Sequence, residues 1–203
     1  MKVLVLLSAL VSAASAGQES RPALSAPQAE EDDYTRYELL APGTQQFAIV
    51  YDVTATTAGA RYYYNPIRRG SEATDERVID LMTGQPLAFD IVSGADAKRG
   101  GHPAADVETG YIRIHLPRPV PKNGEVRLRI WKTYKDPKSY YRHDDLIVFD
   151  RSLGIRRNAV VLPRRYELVS CNVPAQILSE EDGRIKVSFM NTGAAAAPLV
   201  VRA

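Results

Sequence analysis

The strongest constraint on this chain is its punctuation: short alternating runs broken by glycine and proline turns, densest over residues 158–190, NAVVLPRRYELVSCNVPAQILSEEDGRIKVSFM. Ile185, Val187 and Phe189 fall on one side of an extended backbone, and Arg184, Lys186 and Ser188 fall on the other. That period of two marks a half-buried strand. Asp182-Gly183 lies just ahead of it, and such a pair takes the positive φ of a tight hairpin turn, so residues 175–178 are expected to pair with 184–190. Val160, Val161 and Leu162 form an apolar run that Pro163 stops, and residues 166–171 read as a further strand.

The same pattern recurs upstream from Tyr34, at residues 37–40, 46–54, 61–64, 78–82, 87–92, 111–116, 125–134 and 146–149, and again at 198–201, which is expected to be an exposed edge strand with room to pair with another chain. Pro42-Gly43, Gly84-Gln85-Pro86, Gly100-Gly101 and Asn123-Gly124 separate the runs, and no window sustains a helical period. Many short strands joined by such turns predict an all-β fold, an antiparallel β-sandwich of roughly ten or more strands, occupying residues 34–203 as one domain. The turn at residues 83–86 is expected to join a strand carrying Ile79 and Leu81 to one carrying Leu87, Phe89 and Ile91. Residues 111–134 are expected to form a second hairpin, in which Ile112, Ile114 and Leu116 face inward with Val126, Leu128 and Ile130, leaving Tyr111, Arg113, His115, Arg127, Arg129 and Trp131 together on the other face. Cations opposed on one sheet face repel by a few tenths of a kcal/mol per pair. Either acids such as Asp80 or Asp90 offset them, or an anionic ligand does.

The first sixteen residues carry a different signal. Lys2, the apolar stretch 3–11 and Ala14-Ser15-Ala16 have the order of a secretory signal peptide cleaved before Gly17, and residues 17–33, rich in Ala, Pro, Ser, Gln and Glu, read as a disordered spacer. The apolar stretch is too short to span a bilayer, so no transmembrane segment is expected after cleavage. Among 203 residues, 45% hydrophobic and 25% charged, the formal charge of +2 falls to +1 once Lys2 is removed. That balance is too mild for a nucleic-acid partner. The expected location is periplasmic or extracellular.

Catalytic patterns are sparse. The chain contains no H-E-x-x-H, no G-x-S-x-G and no phosphate-binding glycine loop, and its single Cys171, flanked by valines, reads as a core thiol. Neither a cofactor nor a metal is implied. Tyr140, Tyr141, Arg142, His143, Asp144 and Asp145 form the best local polar cluster, but neighbours on an extended chain point in opposite directions and grip one ion poorly. Tyr62-Tyr63-Tyr64, Trp131, Tyr134, Tyr140 and Tyr141 are interleaved with Arg61, Arg68, Arg69, Lys132, Lys135, Lys138 and Arg142, a composition suited to binding a sugar or an acidic partner, and also to plain strand packing. The candidate ligand or partner surface is therefore Arg113, His115, Arg127, Arg129, Trp131, Tyr140, Tyr141 and His143.

Residues 162–172, LPRRYELVSCN, followed by the hairpin through Asp182-Gly183 to Phe189, are similar to the close of the amino-terminal β-sandwich domain of M1-family zinc aminopeptidases, with its Pro-x-x-aromatic turn and a strand ending near a Ser-Asn pair. The runs near residues 84–92, 111 and 131 follow in plausible order, and the resemblance extends over residues 34–203. It implies the sandwich without the family's zinc ligands or exopeptidase motif, so it carries no catalytic residue onto this sequence. Two readings follow. One is a non-enzymatic exported sandwich that binds or scaffolds another protein or a cell-envelope polymer. The alternative is the accessory domain of a truncated or split M1-like metallopeptidase. A hydrolase built around His143 and Asp144 is a third.

Overall fold

A computed structural model describes residues 28–203. The expected signal peptide, and residues 17–27 of the expected spacer, lie outside the described residues. The strands are β1 (Glu30–Leu39), β2 (Gln46–Ala55), β3 (Tyr62–Ile67), β4 (Glu72–Asp80) and β5 (Phe89–Ser93), then a short helix α1 (Gly94–Arg99). They continue as β6 (Gly110–His115), β7 (Val126–Lys135), β8 (Tyr140–His143), β9 (Leu146–Leu153), β10 (Arg157–Val161), β11 (Ser170–Cys171), β12 (Gln176–Ser179), β13 (Ile185–Met190) and β14 (Ala197–Arg202).

One sheet runs β12-β13-β10-β1-β2-β7-β4, a second runs β11-β14-β9-β8 and a third runs β3-β6-β5. All pairings are antiparallel except β1 with β10. The inner face of the seven-stranded sheet, with Tyr37, Phe47, Ile49, Leu128 and Ile130, shares one core with Ile112 and Ile114 of the three-stranded sheet and Phe149 and Leu199 of the four-stranded sheet. Phe47 meets Phe149 edge-on at 5.3 Å and Tyr37 meets it at 5.5 Å, which locks two of the layers together. The all-β sandwich is present, with strands accounting for about half of the chain.

Local predictions hold where local chemistry decides. β12 pairs with β13, Gln176 opposite Ser188 and Ser179 opposite Ile185, and Gly183 takes φ 80° in the turn. Five expectations need correction. First, strand pairing begins at Glu30, ahead of the expected domain start at Tyr34, with a register shift between Glu31 and Tyr34 where Asp32 has φ 51°. Second, the inward sets of β6 and β7 are as expected, but the two strands belong to different sheets and face each other across the core instead of pairing.

Third, the turn after β4 closes through a single bridge, Ile79 to Pro86, and its flanking strands then diverge into separate sheets. Val78 and Asp80 point inward there, whereas Leu81 is 36% exposed. Fourth, of residues 166–171 only Ser170 and Cys171 pair in a ladder; Arg165, with φ 69°, turns the chain after Pro163. Fifth, β14 lies inside its sheet between β9 and β11, so residues 198–201 are not the exposed edge expected of them. Among the described residues no helix is long and apolar enough to cross a membrane.

Candidate functional site

The expected surface is divided by the fold. Arg113 and His115 lie on the three-stranded sheet, while Arg127, Arg129 and Trp131 lie on the seven-stranded one. Each cation meets an acid or a ring of its own sheet. Arg113 donates to both oxygens of Asp90, at 2.9 and 2.5 Å, and His115 Nε2 lies 3.4 Å from the same carboxylate. The hydrogen bond from Arg113 holds the Asp90 pKa below its ordinary value. Arg129 grips Asp52 through two bonds of 2.6 and 2.7 Å, Arg127 bonds Glu125 at 2.7 Å, and Arg77 stacks 3.8 Å from the centre of the Trp131 ring. Asp90 is thus an offsetting acid as expected. Asp80 is not, because it is buried and accepts from Met82 N and Thr83 Oγ1 in its own turn.

Tyr140 is fully buried and donates to the Leu40 carbonyl at 2.9 Å, so it is a core residue and not part of a surface. Tyr141 is half-buried beside it on β8. His143 ends β8 at the tip of a two-residue hairpin, exposed, with Nε2 3.7 Å from exposed Asp144. Cys171 is half-buried against the core with Sγ 3.4 Å from the Val173 carbonyl. Among the described residues no group of three or more His, Cys, Asp or Glu side chains is placed to hold a metal.

A different site emerges between the sheets. Alternation along β7 sends Val126, Leu128, Ile130, Lys132 and Tyr134 inward, which places an ammonium on a core face. Lys132 is 6% exposed; its Nζ donates to Asn65 Oδ1 at 2.5 Å and to the Pro66 carbonyl at 3.3 Å, with the Tyr134 ring at 4.8 Å. No carboxylate stands within ion-pair distance of it among the described residues. Burial, aided by the nearby Arg151 charge, pulls its pKa down to about 7.

Arg151, inward on β9, is treated differently by the fold. It lies 2.9 Å from Asp136, whose carboxylate also accepts from Ser71 Oγ, Ser139 Oγ and the Ser139 amide. Burial works against the Asp136 charge, but these hydrogen bonds and the guanidinium outweigh it and hold the pKa below the usual value.

Around Lys132 is a cavity of roughly 560 Å³, lined by Thr35, Tyr37, Tyr51, Tyr63, Asn65, Tyr134 and Arg151, with Gln28, Glu30, Arg68 and Arg69 also on its wall. Its lining includes Tyr63 and Tyr64, which belong to separate apolar clusters, so the space follows the free edge of β3. The Gln28 side chain pairs with that edge, bonding the Tyr64 amide and carbonyl at 2.8 and 3.1 Å. Tyr51, Tyr63 and Glu30 form a hydroxyl-to-carboxylate chain, and desolvation raises the Glu30 pKa although the residue as a whole is exposed. Two buried polar atoms on the wall, Thr35 Oγ1 and His102 Nδ1, have no hydrogen-bond partner. Lys132 and Tyr63 stood in the sequence among basic and aromatic residues suited to a surface. Position separates Lys132, since alternation along β7 puts it on the inward face, whereas β3 buries Tyr63, Tyr64 and Asn65 in succession and offers no such signal for Tyr63.

An M1 zinc metallopeptidase from Deinococcus radiodurans superposes with a TM-score of 0.52 at 11% identity, over 84% of this chain and 40% of that one. The likeness is one of fold. A glutamate-to-alanine mutant of the same peptidase gives 0.51 with the same coverage, and a two-domain M1 zinc metallopeptidase mutant bound to L-tryptophan gives 0.50 over 84% and 41%. This chain therefore spans less than half the length of the proteins it resembles. No protein-family model matches the sequence, and no curated protein matches it. The resemblance of the sequence to the M1 sandwich is thus also a resemblance of three-dimensional fold.

Proposed function

We propose that this protein is an exported, non-catalytic β-sandwich that docks onto another macromolecule. The partner class favoured by the fold is a catalytic unit of the M1 metallopeptidase kind, on the same chain or on another. The observation that carries this reading is the coverage: 84% of the chain lies on a domain-sized 40% of a zinc metallopeptidase, and one such structure is itself described as two-domain. Export rests on Lys2, the apolar residues that follow it and the small-residue site at Ala14-Ser15-Ala16. The neutralised outer arginines also suit a domain that presents shape more than charge to its partner.

The test is retention of native-envelope components on the tagged mature protein, with mass spectrometry of what stays bound. A polypeptide carrying H-E-x-x-H is the expected result. An envelope polymer alone would discard the peptidase partner and keep the scaffold, and retention of nothing at saturating protein would discard both.

A further inference from the structure

We infer that the chamber between the sheets is a binding site for a small carboxylate with an aromatic or branched aliphatic body, its carboxylate seated on Lys132 Nζ. The ammonium has three hydrogens, and the protein supplies two acceptors, Asn65 Oδ1 and the Pro66 carbonyl, both neutral. A buried charge left without a counterion is costly, and its usual remedy is a pair. The neighbouring Arg151 has that remedy in Asp136 and Lys132 has none, so a monoanion entering the chamber completes an arrangement that the protein leaves open. Arg68, also on the wall, is exposed and bonds the Ser152 carbonyl, so among the described residues Lys132 is the buried cation of the lining without a carboxylate partner. One buried unpaired cation matches one negative charge, which favours a carboxylate over a doubly charged phosphate.

The walls describe the rest of the ligand. Tyr37, Tyr51, Tyr63 and Tyr134 make the lining largely aromatic, and roughly 560 Å³ is the size of a pocket for a small organic molecule. Thr35 Oγ1, buried and unpartnered, stands ready for a second polar group of that molecule. This site is independent of the docking partner proposed above and would operate in the isolated chain.

Phenylacetate, phenylacetamide and inorganic phosphate are suitable probes with the mature protein. Phenylacetate at tenfold its dissociation constant is expected to raise Tm by about 3 °C and to shift the amide NMR signals of Lys132, Asn65 and Tyr63 saturably, whereas the uncharged amide should bind at least tenfold more weakly. Lys132→Gln should lose the phenylacetate response. A saturable response equal for acid and amide, a response to phosphate alone, undiminished binding in Lys132→Gln, or no response to phenylacetate would each overturn the assignment. The comparison of acid with amide on the unmodified protein decides the matter even if the variant fails to fold.

Discussion

Lys132 and Asp136 lie four residues apart and illustrate opposite treatments of a buried charge. An ammonium whose pKa drops from 10.5 to about 7 costs stability wherever the fold must hold it charged. Between those two values the unfolded chain binds more protons than the folded one, so stability rises as pH climbs from about 7 towards 10.5. The groups that set this local field are Arg151, which repels, and Glu76, which weakly attracts. Lys132→Met should accordingly raise Tm at pH 6 to 7 and lose most of that advantage by pH 10; thermal melts across this range measure it, and a constant difference would show that the ammonium does not titrate there. Asp136 is the reverse case. Its depressed pKa contributes stability that is complete above the ordinary aspartate value near 3.9 and is lost as pH falls through the folded value. Asp136→Asn leaves Arg151 buried without a counterion and should cost about 3–5 kcal/mol in urea unfolding.

At the scale of elements, the close of the chain is held by a side chain acting as a strand. Asn172 Nδ2 donates to the Pro198 carbonyl at 2.6 Å and its Oδ1 accepts from Val200 N at 2.6 Å, extending the two-residue β11 along β14. Asn172→Ala should cost about 1–2 kcal/mol and speed hydrogen exchange at the Val200 amide, a change that leaves exchange in β13 untouched. The helix α1 has its own local logic. Ser93 caps it by accepting from Asp96 N at 3.1 Å while the Asp96 side chain accepts from Ser93 Oγ at 2.6 Å. Six residues are too few to show a helical period, which is why alternation alone passes over it. A Cβ on Gly94 would strike the Asp106 carbonyl, so Gly94→Ala is expected to lower Tm by several degrees, as calorimetry would show. An unchanged Tm would mean that the following loop can move aside.

At the scale of the whole molecule, three sheets share one apolar core, with a small satellite of Tyr64, Ala97, Ala105 and Tyr111 beneath α1. A shared core predicts cooperative unfolding. The sole tryptophan, Trp131, reports on the seven-stranded sheet, and its fluorescence should melt together with the far-ultraviolet circular dichroism; an earlier dichroism phase would reveal the three-stranded sheet unfolding separately. The sequence by itself determined the all-β class, the hairpin at Asp182-Gly183 and the inward sets of β6 and β7, because alternation and turn chemistry are properties of adjacent residues. Only the tertiary structure decided that β6 and β7 face each other from different sheets, that Arg113 and Arg129 are answered by Asp90 and Asp52, and that β14 is interior. Pairing is chosen by the burial of whole faces across long stretches of chain, and a period of two names a residue's face without naming its partner. Lys132 stands at that boundary: its inward position was legible in β7, but the open-sided chamber beside it exists only because β1, β2, β3 and β9 come together around it.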